Sequence, residues 1–307
     1  MINANPVFNQ VLKNPLFEEK EIKVTIKRLD LIHPQVSGNK FFKLKYNLEK
    51  AKSERQNTVL TFGGAFSNHI AAVAFAAKAE GLKSIGVIRG EETSPLNHTL
   101  KTAQSNGMKL FFISRELYRK KKELTFLNDL KSRFGDFFVI PEGGTNELAI
   151  FGTSEILNKE DKAFSHIITA IGTGGTFAGL AKSLLNHQTL IGISALKGDF
   201  IHQEIKDLLD IHKITPKGET KIMDNFHFGG YAKFNKELID FIWKFYEDYK
   251  IALDPIYTGK LIFGVWDMIS KNKIPKGSSL LIIHSGGLQG NIGFTERTGI
   301  KLPPLSM

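Results

Sequence analysis

Three clusters in this 307-residue sequence have the residue types and spacing to do chemistry. The first is Gly172-Thr173-Gly174-Gly175-Thr176, set between the apolar run ending at Ile171 and the helix-forming Phe177-Ala178-Gly179-Leu180. Successive backbone N–H groups, the positive end of a helix and two threonine hydroxyls would make an anion cradle there. A dinucleotide loop fits poorly, because the third glycine of G-x-G-x-x-G falls on Phe177, and no Gly-Lys-Ser/Thr follows for a P-loop. A monophosphate cofactor is the better match. The second cluster is Ser37-Gly38-Asn39-Lys40-Phe41-Phe42-Lys43-Leu44. A lysine flanked by apolar residues can be desolvated, which lowers its pKa and frees its amine for Schiff-base chemistry. Taken alone, Lys40 and Lys43 also read as two charges on a helix surface. In the third cluster, Gly63-Gly64-Ala65-Phe66-Ser67-Asn68-His69, a strand ends in glycines and a helix begins. Ser67 reads as an N-cap. The same exposed N–H groups would hold a carboxylate, with His69 adding a donor; a purely structural His69 is the alternative.

The elements that must position these clusters repeat one pattern: short apolar run, glycine-containing turn, amphipathic stretch. Apolar runs at Val59 to Phe62, Ile85 to Ile88, Leu110 to Ile113, Phe137 to Ile140, His166 to Ile171, Leu190 to Ala195 and Leu280 to Ile283 predict strands. Ser67 to Ala79, Glu116 to Phe134, Thr176 to Leu185 and Asn235 to Lys250 predict helices. Strand then helix, many times over, means an α/β fold with mostly parallel sheets. Five glycine pairs, at 63–64, 143–144, 174–175, 229–230 and 286–287, point to a ligand cleft at the turns.

Composition narrows the classes further. Apolar residues at 42% and charged residues at 23% are ordinary for a globular chain. With no cysteine there is no disulfide, thiolate zinc site, iron–sulfur cluster or cysteine nucleophile, and no metal site is expected. The balance of 41 basic and 31 acidic residues, +10, invites a nucleic-acid reading. The charge is dispersed, however, and its one dense run, Arg119-Lys120-Lys121-Lys122, reads as a solvated helix face. Neither a nucleic-acid partner nor a membrane is expected. The apolar stretches fall far below roughly 18 residues and no signal-peptide pattern opens the chain, so a soluble, cytoplasmic protein is expected.

Six motifs in order resemble the D-cysteine desulfhydrase and 1-aminocyclopropane-1-carboxylate (ACC) deaminase family: Lys27 to Asp30, Ser37 to Leu44, Gly63 to His69, Gly172 to Leu180, Asp254-Pro255-Ile256-Tyr257-Thr258-Gly259-Lys260, and His284-Ser285-Gly286-Gly287. These are pyridoxal-phosphate (PLP) enzymes of the tryptophan-synthase-β fold type. The resemblance implies two open, twisted, mostly parallel-sheet domains with PLP in the cleft between them. The large PLP-binding domain would take 1–52 plus 153–307 and the small one 53–152. It implies a homodimer, a small amino acid as substrate, and Lys40 as the lysine joined to PLP. Lys43 and Thr173, Gly174, Gly175 and Thr176 would hold the phosphate, and Asn68 the ring hydroxyl. Ser67, Asn68 and His69 would receive the substrate carboxylate. Tyr257 would lie beside the ring, and Tyr231 would be a second active-site tyrosine, although Tyr231 to Asn235 departs from the family's Tyr-Gly-x-Pro.

Two positions separate the activities within that family. ACC deaminases carry Glu after the motif tyrosine, at the pyridine nitrogen, and Leu after the late histidine, whereas desulfhydrase-like members carry Ser or Thr at both. Here the residues are Thr258 and Ser285. A carboxylate would keep the pyridine nitrogen protonated and favour a strongly delocalised carbanion; a hydroxyl does so less well, which suits prompt expulsion of a good β leaving group such as thiolate. The expected reaction is α,β-elimination from D-cysteine to pyruvate, hydrogen sulfide and ammonia, with Lys40 as the α-proton base and Tyr257 or Ser67 as alternatives. ACC deamination to 2-oxobutanoate and ammonia, and β-replacement as in a cysteine synthase, are the competing activities on this fold. A nicotinamide-dependent dehydrogenase and a non-catalytic phosphate or nucleic-acid binder are the rivals from other classes.

Overall fold

The computed structural model describes residues 2–92 and 94–305. Among these residues two sheets form. The larger has six strands in the order β1-β2-β10-β7-β8-β9: β1 (Asn9–Leu12), β2 (Lys23–Lys27), β7 (His166–Ile171), β8 (Thr189–Ser194), β9 (Glu219–Met223) and β10 (Ser279–Ile283). Only β1 runs antiparallel, against β2. The smaller is fully parallel, β5-β4-β3-β6: β3 (Thr58–Gly64), β4 (Lys83–Arg89), β5 (Met108–Ile113) and β6 (Phe138–Ile140).

The continuous apolar runs have a direct cause. A parallel sheet is covered by helices on both faces, so both sets of alternating side chains must be apolar. On β10, Leu280 and Ile282 join one core with the helices Lys236–Tyr249 and Thr258–Ser270, and Leu281 and Ile283 join another with the helix Gly175–Ser183. On β3, Val59 packs against the helices Asn39–Ser53 and Asn68–Ala79, while Leu60 and Phe62 face Tyr118, Phe126 and Leu130.

All seven expected strands form. β1, β2 and β9 lie outside the sequence-based expectation, because they are short and interleaved with lysine, glutamate or asparagine. The helix expected over Glu116 to Phe134 is two helices, Arg115–Arg119 and Leu124–Phe134. Residues 120–123, Lys-Lys-Lys-Glu, carry no apolar side chain to bury, so the chain turns there. No helix among the described residues is long and apolar enough to cross a membrane.

The clusters identified in the sequence follow strands at their carboxyl ends: 37–40 after β2, 63–69 at β3, 172–176 after β7 and 285–287 after β10. That is the edge at which open α/β sheets bind ligands.

Candidate active site

The Gly172–Thr176 loop opens the helix Gly175–Ser183, with Gly174 left-handed (φ 78) at its N-cap. This turn aims the helix's first N–H groups outward. Lys43 lies over it: its Nζ donates to Gly143 O (2.9 Å) and Thr145 Oγ1 (3.2 Å) and lies 3.5 Å from Thr173 Oγ1. The Thr145 and Thr173 hydroxyls meet at 2.6 Å. A Cβ on Gly175 would stand 2.8 Å from Thr145 Oγ1 and 3.0 Å from Lys43 Nζ, so only glycine leaves this cradle open. Asn39 closes the other side, donating to Thr176 Oγ1 (2.7 Å) while its Oδ1 accepts from Lys40 Nζ (3.2 Å).

Two lysine amines therefore lie together without a carboxylate partner among the described residues. Burial pushes Lys40 down to about 8. Burial and the neighbouring Lys40 hold Lys43 well below the usual lysine range. Uncompensated buried cations are costly, and a bound anion is what relieves the cost.

At the end of β3, Ser67 caps the helix Asn68–Ala79, its Oγ accepting from Ile70 N (3.4 Å). Asn68 packs against the turn after β10, where a Cβ on Gly287 would stand 2.8 Å from Asn68 Nδ2. His69 is 2% exposed, and its tautomer follows from its partners. The Thr61 hydroxyl donates to Ile140 O (2.7 Å), so its oxygen accepts from His69 Nε2 (2.8 Å). Burial, with Lys40 and Lys43 adding to it, holds the imidazole well below its ordinary pKa and hence neutral. Nδ1 is left as a buried lone pair without a partner. The imidazole therefore offers an acceptor rather than a proton, and the donors at this helix start are the Ser67 hydroxyl, the Asn68 amide and the first-turn backbone.

The last pieces come from the start of the helix Thr258–Ser270 and the turn after β10. Asp254 Oδ1 accepts from Ile256 N (2.8 Å) and Tyr257 N (2.7 Å), and its Oδ2 from Thr258 N (3.0 Å) and Thr258 Oγ1 (2.5 Å). Thr258 is fully buried, and its Oγ1 also accepts from Asp254 N (2.7 Å). The Tyr257 ring covers Gly172, and burial and the adjacent Tyr231 raise its phenol well above the usual value, so it keeps its proton. The two rings meet edge-on, with centroids 6.1 Å apart. Ser285 is half-buried, and its hydroxyl has no partner among the described residues.

The structure thus brings Lys40, Lys43 and Thr173–Thr176 into one cradle, with Asn68 against Gly287 and Tyr257 over Gly172. Thr258 faces Asp254, and Tyr231 stands at the rim, 46% exposed. Sequence reading missed Thr145, although the glycine pair before it marked that turn. It also gave no role to Asn39, Asp254 or Lys260. The donor set fits a phosphate-bearing group with an electrophilic carbon for Lys40, and a Cβ at Gly175 would fill the space such a phosphate needs.

Comparison with known proteins agrees. The family described as "Pyridoxal-phosphate dependent enzyme" matches residues 8–286. A putative ACC deaminase of Pyrococcus horikoshii is 32% identical over 291 residues, covering 89% of this chain and 87% of the relative. The bifunctional D-cysteine desulfhydrase/ACC deaminase of Arabidopsis thaliana, a mitochondrial protein, is 30% identical over 289 residues, covering 86% and 72%. The crystal structure of an ACC deaminase homologue superposes with a TM-score of 0.80 at 28% identity, covering 97% of this chain and 93% of that one.

Proposed function

We propose that this chain, which belongs to the pyridoxal-phosphate-dependent enzymes and within them to the group of ACC deaminases and D-cysteine desulfhydrases, is a lyase acting on D-cysteine. The observation that carries the choice is the hydroxyl pair: Ser285 presents a free hydroxyl, Thr258 is buried, and Asp254 is saturated by four donors. Neither of the two positions carries a carboxylate, and that of Asp254 is already taken. The overall reaction is D-cysteine plus water to pyruvate, hydrogen sulfide and ammonia.

Bound pyridoxal phosphate supplies an electron-withdrawing ring that stabilises negative charge at the substrate Cα. The chain's own groups do the rest. The Gly172–Thr176 loop, Lys43 and the Thr145 and Thr173 hydroxyls bind the phosphate, and Lys40 is the covalent anchor. Ser67, Asn68 and the first-turn N–H groups orient the substrate carboxylate. Once free, the Lys40 amine takes the α-proton, and Tyr257, which keeps its proton, donates to the departing sulfur. The small domain is assigned to 53–152 and the large PLP-binding domain to 1–52 plus 153–307, since one sheet runs from Thr58 to Ile140 and the other is drawn from both flanks. A homodimer is the assembly the resemblance implies, and sedimentation would check it.

Keto-acid release from D-cysteine, L-cysteine and ACC, measured in parallel on the PLP-loaded protein, tests the reading. Pyruvate with sulfide from D-cysteine alone is expected. Keto acid from ACC instead would transfer the chain to the second reading, ACC deaminase, which the names of its relatives favour. The double change Thr258→Glu with Ser285→Leu should raise the ACC-to-D-cysteine rate ratio by at least ~10-fold, a barrier difference of about 1.4 kcal/mol. An unchanged ratio would defeat the electron-sink argument.

The depressed Lys40 pKa gives a pH dependence. At pH 7 a lysine with a pKa of about 8 is neutral in roughly a tenth of molecules, against about 3 in 10,000 for an ordinary lysine. Attachment of PLP to cofactor-free protein should therefore speed up about tenfold per pH unit below 8 and level off above it. A rate still climbing at pH 10 would show an ordinary amine.

A further inference from the structure

The segment before Tyr231 is held in an unusual backbone. Phe228 (φ 52), Gly229 (φ 96), Gly230 (φ 121) and Ala232 (φ 56) are all left-handed, and two of them are not glycine. Such a run persists only where its surroundings over-determine it. Most of its ties are local: Gly229 N donates to His227 Nδ1 (2.8 Å), Gly230 N to His227 O (3.0 Å) and Lys233 N to Gly230 O (3.1 Å). Beyond the packing of Phe228 on Phe263 (ring centroids 4.9 Å), one hydrogen bond reaches it from elsewhere in the fold, from Lys260 Nζ to Gly230 O at 2.9 Å.

Lys260 is 1% exposed, and this carbonyl is its one hydrogen-bond partner among the described residues. Burial pushes its amine down to about 8 against the weaker pull of Asp254, whose carboxylate is already taken by the backbone and Thr258. A methionine would fill the same space without burying a cation, so packing alone does not account for the amine. Its position does. Lys260 sits in the first turn of the helix that begins immediately after Tyr257. Gly230 immediately precedes Tyr231, whose half-exposed ring meets Tyr257. One amine thus joins the backbone of one tyrosine to the turn that carries the other.

We propose that Lys260 is a positioning residue, whose ammonium latches the Gly230 carbonyl and thereby sets Tyr231 against Tyr257. The catalytic part of this rests on the reading that both tyrosines line the lyase site; the latch itself does not. Lys260→Met should accelerate amide exchange over 228–233 by about tenfold in cofactor-free and loaded protein alike, as loss of one hydrogen bond permits, with the strands unaffected. Lys260→Gln, which keeps an N–H donor on a shorter stem, should fall between. In turnover, Lys260→Met should lower kcat about tenfold with little change in KM, and should add no further loss in a Tyr231→Phe background. Unchanged exchange in Lys260→Met would overturn the latch, and full additivity with Tyr231→Phe would overturn its action through Tyr231. Absence of turnover with every amino acid would refute the lyase reading instead, while exchange would still decide the latch.

Discussion

Lys40→Ala should give a folded protein that no longer links pyridoxal phosphate covalently and releases keto acid more slowly by at least ~10⁴-fold, the combined loss of anchor and general base. Two lysines compete for the role, Lys43 buried and Lys40 half-buried, and their contacts separate them. The Lys43 amine is held by Gly143 O and Thr145 Oγ1 with Thr173 Oγ1 beside it, so its protons are directed and no lone pair is presented. Lys40 makes a single bond, 3.2 Å to Asn39 Oδ1, and since burial lowers the pKa of both amines, it is this freedom that singles out Lys40. Lys43→Ala should accordingly weaken cofactor affinity while covalent attachment persists. Borohydride reduction followed by peptide mass spectrometry tells the two apart. Reduced cofactor on Lys43, or undiminished attachment in Lys40→Ala, would reverse the assignment.

Parallel sheets wrote themselves into the sequence because both faces of each strand are buried, so β10 appears as the unbroken apolar run Leu280 to Ile283 and β7 as a run broken only by Thr169. β2 did not show, since Lys23, Thr25 and Lys27 interrupt it. Lys27 is nonetheless buried, paired with Asp161 at 2.7 Å across 134 residues, and no local pattern announces such a partner. The anchoring lysine and the phosphate loop were legible for a related reason: each depends on consecutive residues in one turn. Thr145 arrives from a different strand, and its role exists only because Lys43 Nζ reaches it. Thr258 shows the limit most clearly. Its position after the motif tyrosine was read correctly, but the direction of its hydroxyl is decided by Asp254 four residues earlier, whose carboxylate closes the helix N-terminus on itself. His69 is similar: Thr61 and Ile140 together settle which nitrogen carries the proton.

The net charge also finds part of its explanation in the fold. Lys40 and Lys43 face each other's charge without a buried acid nearby, whereas Lys27 and Arg28, only a dozen residues earlier, are each matched by an aspartate. Lys27 and Arg28 are thus paired structural cations, whereas Lys40 and Lys43 gather where a phosphate would bind. The surface run at 119–122, expected on a solvated helix face, lies at a break between two helices, where Lys121 pairs with Glu142 at 3.3 Å.

Gly38→Ala, one methyl group, should cost both activity and stability. Gly38 has φ +66, and a Cβ there would stand 1.8 Å from Ser285 O and 2.2 Å from its carbonyl carbon. Both obstacles are backbone, so no rotamer change relieves them. Nor can either turn retreat easily: Gly38 N donates to Leu29 O (2.9 Å), Asn39 N to Ser285 O (3.2 Å), Ser37 Oγ to Asp30 O (2.9 Å), and His284 N to Lys27 O (3.1 Å). Separating the turns by the ångström or more required would carry Lys40 away from Ser285, and misplacement of that size costs on the order of 100-fold in rate. Strain at a left-handed position and the broken contacts together should destabilise the fold by about 3 kcal/mol or more. Urea unfolding and keto-acid release measured on the same preparation would check both effects. Wild-type values for Gly38→Ala would mean that the two turns are not interlocked, and the mutual placement of the lysine and the Ser285 hydroxyl would then need another cause.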